Sequence, residues 1–341
     1  MIKPLSSTLF CALSGALLLT STVIASAQKT QYPLTIESCG YKVVFEKAPE
    51  RVVTIGQSST ELFYALGLHE KVVGTSVWFT PVLEEYAAIN EKIEKLADND
   101  PSFESILAKK PDLIAAQYQF HVGPLGAVGT VEQFSDVRIP TYVSPVDCKG
   151  KDNSNGGDGM RTSAFTMDLV YQEIEELAQI FDIQARGQKL IADLKAREDS
   201  ARKKIEGMEK GTSAVFWFSS PDMELDPFVA GKYGAPAYMM SVLGIRNIIE
   251  SSEEWPSVSW EIIAKADPTF IVLAEMSRRR FPADNWEEKI KFLKSDSVTK
   301  LLPAVEKDRL IVLDAQTMNP GIRTVIGIES VADSIAALNT K

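Results

Sequence analysis

Histidine is almost missing from this 341-residue chain; His69 and His121 are the only two. Imidazole is the usual ligand for zinc-like metals, so two separated residues with no acidic His-rich loop leave no direct metal-binding set. The same scarcity counts against a Ser-His-Asp hydrolase, and Gly56-Gln57-Ser58-Ser59-Thr60 lacks the closing glycine of a nucleophile elbow. The glycines at 156–159 follow no strand and precede no Lys-Ser/Thr pair, which excludes a phosphate-binding P-loop. Positive charge is also short. Lys and Arg number 36 against 46 Asp and Glu, a formal charge of −10 that has the wrong sign for a nucleic-acid partner. It does not exclude a basic pocket, because net charge does not describe local charge.

Long hydrophobic runs are confined to the start. Lys3, the apolar stretch Leu9 to Ile24 and Ala25-Ser26-Ala27 have the order of a secretory signal peptide cleaved after Ala27. Cys11 lies too early in that run, after Thr8-Leu9-Phe10, for a lipid-anchoring cysteine, so a free exported protein is expected. No later run approaches the roughly 20 apolar residues of a membrane span. Removing the leader takes away Lys3 and no acid, giving a formal charge of −11. Two cysteines remain, Cys39 and Cys148. In an oxidising compartment they are candidates for a disulfide, the alternative being two buried thiols.

What the chain does have is a segment written twice. Phe103-Glu104-Ser105-Ile106 recurs 157 positions later as Trp260-Glu261-Ile262-Ile263, each followed by a proline seven residues after the glutamate and then by an apolar run. Ser102 and Ser259 precede the aromatics, where a helix N-cap belongs. Glu104 and Glu261 are therefore expected in the first turns of matching helices, one in each of two similar lobes. An acid there also complements the helix dipole, which by itself accounts for its presence.

Around these copies strand and helix patterns alternate, the mark of an α/β fold with mostly parallel sheets. Expected strands include 51–55, 71–75, 111–117 and 140–143, then 214–218, 269–274 and 309–313. Expected helices include 59–66, 103–109, 131–136, 235–243, 261–266 and 286–293. Residues 148–161 read as a polar surface loop, 163–181 as a helix, and 182–207 as a longer helix capped by Asp182 and stopped by Gly207. The division is a leader at 1–27, an N-terminal lobe at 28–161, a helical segment at 162–209 and a C-terminal lobe at 210–341.

Taken in order, Glu50-Arg51-Val52-Val53-Thr54-Ile55, Thr60-Glu61-Leu62-Phe63-Tyr64-Ala65-Leu66-Gly67-Leu68, Phe103-Glu104, Lys110-Pro111-Asp112-Leu113 and the helical connector resemble the periplasmic substrate-binding proteins of the cobalamin and iron-siderophore type. The resemblance implies two Rossmann-like lobes joined by a single long α-helix, with the ligand cleft between them. It implies a monomer of the periplasm that feeds the permease dimer of an ABC importer. By motif position, Glu104 and Glu261 are the surface glutamates that would dock onto permease arginines.

Open α/β sheets bind ligands beyond the C-terminal ends of their strands. Ligand candidates there are Trp78 and Tyr118 in the first lobe, with Trp217, Trp255, Arg278, Arg279, Arg280 and Arg323 in the second. Three successive guanidiniums suit an anionic chelate, since arginine offers bidentate donors; a solvated loop answered by Asp284, Glu287 and Glu288 is the plainer reading. The expected ligand is a ferric siderophore, with cobalamin or haem behind it. No cofactor is expected beyond iron held in a bound chelate, and no catalysis.

Overall fold

The computed structural model describes Met1, residues 29–154 and residues 159–339, so the expected leader lies outside the described residues apart from Met1. The first lobe opens with a hairpin, β1 (Leu34–Ser38) and β2 (Tyr41–Phe45), whose alternating burial turns Ile36, Val43 and Phe45 inward. Next come β3 (Val52–Ile55), α1 (Gln57–Ala65), β4 (Val72–Ser76), α2 (Ala87–Asn90), β5 (Lys95–Ala97), α3 (Phe103–Ala108), β6 (Leu113–Ala116), α4 (Gln119–Val122), α5 (Val131–Asp136) and β7 (Thr141–Val143). The strands pair in the order β5-β4-β3-β6-β7, all parallel. Helices cover both faces of a parallel sheet, so β3, β6 and β7 are buried throughout and read as apolar runs rather than alternations. A disulfide joins Cys39, in the β1–β2 turn, to Cys148 beyond β7.

A short antiparallel pair, β8 (Lys151–Asp152) with β9 (Met160–Arg161), stands where a surface loop was expected; residues 155–158 lie outside the described residues. Two helices follow, α6 (Met167–Ile180) and α7 (Gln184–Lys204). The 21 residues of α7 span about 31 Å, enough to cross from one lobe to the other. Its buried residues show this directly, since Ile191 and Leu194 belong to the first lobe's core and Ala201, with the following Ile205, to the second's. Asp182 does not cap α7 as expected. It sits at a left-handed φ of 55° and its carboxylate accepts from the Thr30 N–H at 2.7 Å, tying the segment before β1 to the helix pair.

The second lobe holds β10 (Ser213–Ser219), β11 (Phe228–Val229), α8 (Ala235–Val242), β12 (Arg246–Asn247), α9 (Trp260–Ala266), β13 (Phe270–Glu275), α10 (Trp286–Ser295), α11 (Pro303–Glu306), β14 (Leu310–Asp314) and α12 (Arg323–Asn339). Its sheet runs β11-β10-β13-β14, with β12 also on β10 and β11 antiparallel. The closing helix α12 was not expected from the sequence. It lies along α7, fastened by a bidentate Arg197–Glu329 pair at 2.9 and 2.6 Å and by Lys204–Asp333.

Candidate functional site

The parallel strands of both sheets aim their C-terminal ends at the space between the lobes. On the first lobe this places Ser58 at the start of α1, Trp78 and Phe79 after β4, Asp98 and Asn99 after β5, and Tyr118 at the N-terminal edge of α4. On the second it places Phe218 at the C-terminal end of β10, Trp255 before α9, the loop 276–284 after β13, and Gln316 after β14.

The arginine run is the centre of this arrangement. Arg278 reaches across the cleft, donating to the Trp78 carbonyl at 3.2 Å, the Asp98 carbonyl at 3.3 Å and Asn99 Oδ1 at 2.6 Å. Arg280 shares Asn99 Oδ1 at 3.3 Å, while Arg279 is exposed. Among the described residues, none of the three guanidiniums forms an ion pair with a carboxylate. The acids 284, 287 and 288 therefore do not neutralise the run. Asp284 faces the loop's backbone instead.

The aromatic candidates divide. Trp255 is half-buried and stacks on Phe218 with ring centroids 4.3 Å apart, a wall beside the arginine loop. Trp78 is only 7% exposed; its indole N–H donates to Thr75 Oγ1 at 3.1 Å, and the residue before it, Val77, takes a left-handed φ of 62°. That conformation is strained for a β-branched residue and turns the chain sharply at the cleft edge. Tyr118 is half-buried, 5.8 Å in ring-centroid distance from His121. Trp217 does not reach the cleft. It is 0% exposed and packs edge-on against Trp260 and Phe292 on the other face of the sheet. Phe218, one residue on, is half-buried and packs with Trp255 against the second lobe's core on the opposite face of the sheet.

Arg323 is likewise not a free ligand receptor. It is 4% exposed, and its Nε donates to Glu61 Oε2 at 2.7 Å while Nη2 bonds the other carboxylate oxygen and the Pro81 carbonyl. Nη1 adds Asp314 at 2.8 Å. Burial lowers the guanidinium's affinity for its proton, but Glu61 and Asp314 more than offset this and hold the group above its ordinary value. Arg323 and Glu61 together form a strut between lobes, with Gln316 Nε2 to Ser58 Oγ at 3.1 Å beside it.

A second strut escaped the sequence reading. Arg161, 2% exposed, pairs with Glu254 next to Trp255 and donates to the Val146 carbonyl at 3.1 Å. Lys151 on the partner strand binds Asp147 at 2.7 Å and lies 3.6 Å from Glu254. Outside this strand pair a cavity of about 430 Å³ opens, lined by Gln119, Phe120, Pro124, Leu125 and residues 151–154. His121 is buried, with Nε2 on Asp100 at 3.1 Å; burial holds its proton affinity down while Asp100 pulls it up.

Glu104 and Glu261 occupy equivalent exposed places, the second residue of α3 and of α9. Ser102 Oγ accepts from the Ser105 N–H at 3.1 Å, and Ser259 Oγ from the Ile262 N–H at 3.5 Å. The repeated sequence is thus a repeated capped turn.

Two α/β lobes facing each other over a cleft and hung on one crossing helix are the architecture of a solute-capture protein. Residues 52–317 match the family described as periplasmic binding protein, and the chain belongs to that family, a periplasmic binding protein of the ABC importer type. It is 25% identical over 315 residues to YvrC of Bacillus subtilis (strain 168), an uncharacterized ABC transporter substrate-binding lipoprotein, covering 90% of this chain and 87% of that one. It is 25% identical over 306 residues to the vitamin B12-binding protein of Vibrio vulnificus (strain CMCP6), covering 88% and 96%. Among solved structures it is similar to an ABC-type Fe3+-hydroxamate transport system protein of Saccharomonospora viridis, with a TM-score of 0.69, 25% identity and coverage of 89% and 99%.

Proposed function

We propose that the protein captures a ferric siderophore in the cleft and delivers it to a membrane permease, binding without turnover. The observation that carries this is the Arg278–Arg280 loop, three guanidiniums with no ion pair to a carboxylate among the described residues, on the strand end next to the half-buried Phe218–Trp255 stack. A bulky anionic chelate presents both the charge and the flat organic surface that such a site accepts. The likeness to a hydroxamate-transport protein supports the same choice. The vitamin B12-binding relative favours cobalamin as the second reading, for which the aromatic wall would serve and the arginine excess would not.

Export to the periplasm, with cleavage after Ala27, goes with this reading, as does docking through Glu104 and Glu261. Among the described residues no helix is long and apolar enough to cross a membrane. The test is tryptophan fluorescence of the chain lacking residues 1–27, titrated with ferric tris-hydroxamate, ferric tris-catecholate, cobalamin, haem and free Fe3+. Saturable quenching by a ferric chelate, weakened at least about tenfold (1.4 kcal/mol) by Arg278→Ala, is expected. Saturation by cobalamin alone would replace the siderophore with the second reading.

A further inference from the structure

Beneath the arginine loop lie two buried titratable side chains, Asp284 and Lys289. Asp284 is 2% exposed, and its carboxylate accepts three hydrogen bonds: Ser219 Oγ–H at 2.5 Å on one oxygen, the Arg280 and Phe281 backbone N–H groups at 2.6 and 2.9 Å on the other. Lys289, 0% exposed on α10, sends its Nζ to the carbonyls of Trp217 at 3.2 Å, Phe218 at 2.6 Å and Ala274 at 2.8 Å. These carbonyls close the C-terminal ends of β10 and β13, the two neighbouring strands from which the aromatic wall and the arginine loop emerge.

Burying a carboxylate and an amine is costly unless each is closely solvated by the protein, and a buried backbone carbonyl at a strand end needs a donor. A neutral side chain of similar size would fill the same space. What the two polar side chains add is direction, because one end of the loop is fixed by hydrogen bonds to Asp284 and the strand ends below it by hydrogen bonds from Lys289.

We infer that Asp284 and Lys289 are positioning residues, the first fixing the arginine loop and the second the Phe218 wall, so that Arg278 is presented across the cleft already extended. This rests on the reading of Arg278–Arg280 as the ligand wall. In a loop free to move, ordering Arg278 would be charged against ligand binding; here it is met by the fold.

The experiment labels arginines with phenylglyoxal in the folded, ligand-free protein and follows Arg278 and Arg323 by peptide mass spectrometry. In the wild type both are held by their acceptors. Asp284→Ala is expected to speed labelling of Arg278 about tenfold, corresponding to 1.4 kcal/mol of lost restraint. Arg323 should stay protected, and Asp284→Asn, whose amide can keep the two N–H acceptances, should restore most of the protection. Lys289→Met should leave Arg278 labelling near the wild-type rate and weaken binding of ferric tris-hydroxamate through the wall. Equal Arg278 labelling in Asp284→Ala and wild type would overturn the assignment of Asp284, and unchanged chelate binding in Lys289→Met that of Lys289. Should Asp284→Ala unfold, seen as labelling of Arg323, Ser219→Ala takes its place, with faster Arg278 labelling expected and an unchanged rate overturning the inference. A wild type that binds no ferric chelate would defeat the functional reading yet leave the labelling result standing.

Discussion

Glu173 is a carboxyl group whose burial changes its protonation. It lies on α6, 6% exposed, and its carboxylate accepts from Ser144 Oγ at 2.6 Å. Burial pushes its pKa up to about 7, the Ser144 hydrogen bond pulls it back, and neighbouring Glu176 adds to the rise. Between the ordinary value near 4.5 and about 7 the folded chain holds a proton that the unfolded chain has released. Its stability contribution is therefore greatest below the unfolded value and declines as pH rises through that window, by on the order of 3 kcal/mol in all. Glu173→Gln keeps an acceptor for Ser144 and has no charge to bury. Urea unfolding at pH 5 and pH 8 is expected to show the variant gaining on the wild type at the higher pH; an equal offset at both would mean that Glu173 ionises without cost.

At the scale of elements, the contact between α12 and α1 is the most exacting. Arg323 opens α12, where the helix dipole disfavours a cation, and only the Glu61 carboxylate of α1 with Asp314 makes the position tenable. Arg323→Met leaves Glu61 buried without its partner and is expected to cost about 3–5 kcal/mol in thermal unfolding. Adding Glu61→Gln should recover more than half of that loss. A single variant as stable as the wild type would remove the strut from the account. Such a pair, 262 residues apart, cannot be read from the sequence, which marks Arg323 only as a charge near the cleft. The strands and the capped turns at Ser102 and Ser259 are legible because their signals are local: apolar runs, a hydroxyl cap, a following proline. Trp217 is buried where the sequence offers it as a cleft residue, because strand side chains alternate between faces and nothing local says which face a helix will cover. The closing helix α12 was missed for a related reason. It starts on an arginine with Gly327 inside, and packing against α7 supplies the stability that propensity withholds.

At the scale of the whole molecule, the crossing helix α7 and the two struts hold Glu104 and Glu261 on one framework, so their separation is set by the fold rather than by side-chain motion. An exposed acid in a first turn gains about 0.3–1 kcal/mol from the helix dipole, and if that were its only purpose the two sites would be independent and local. Docking onto a two-fold permease makes a different demand. Both charges must engage at once, and their attraction must weaken as salt screens it, with a Debye length of about 8 Å at physiological ionic strength. Glu104→Lys with Glu261→Lys is therefore expected to lower thermal stability only slightly and to leave ferric-chelate binding unchanged. Uptake in cells carrying the cognate importer should be abolished, and each single variant should lose part of it. In reconstituted vesicles, wild-type stimulation of transport should fall steeply with added salt while the residual activity of the double variant does not. Full uptake by the double variant would confine the two glutamates to their helix caps.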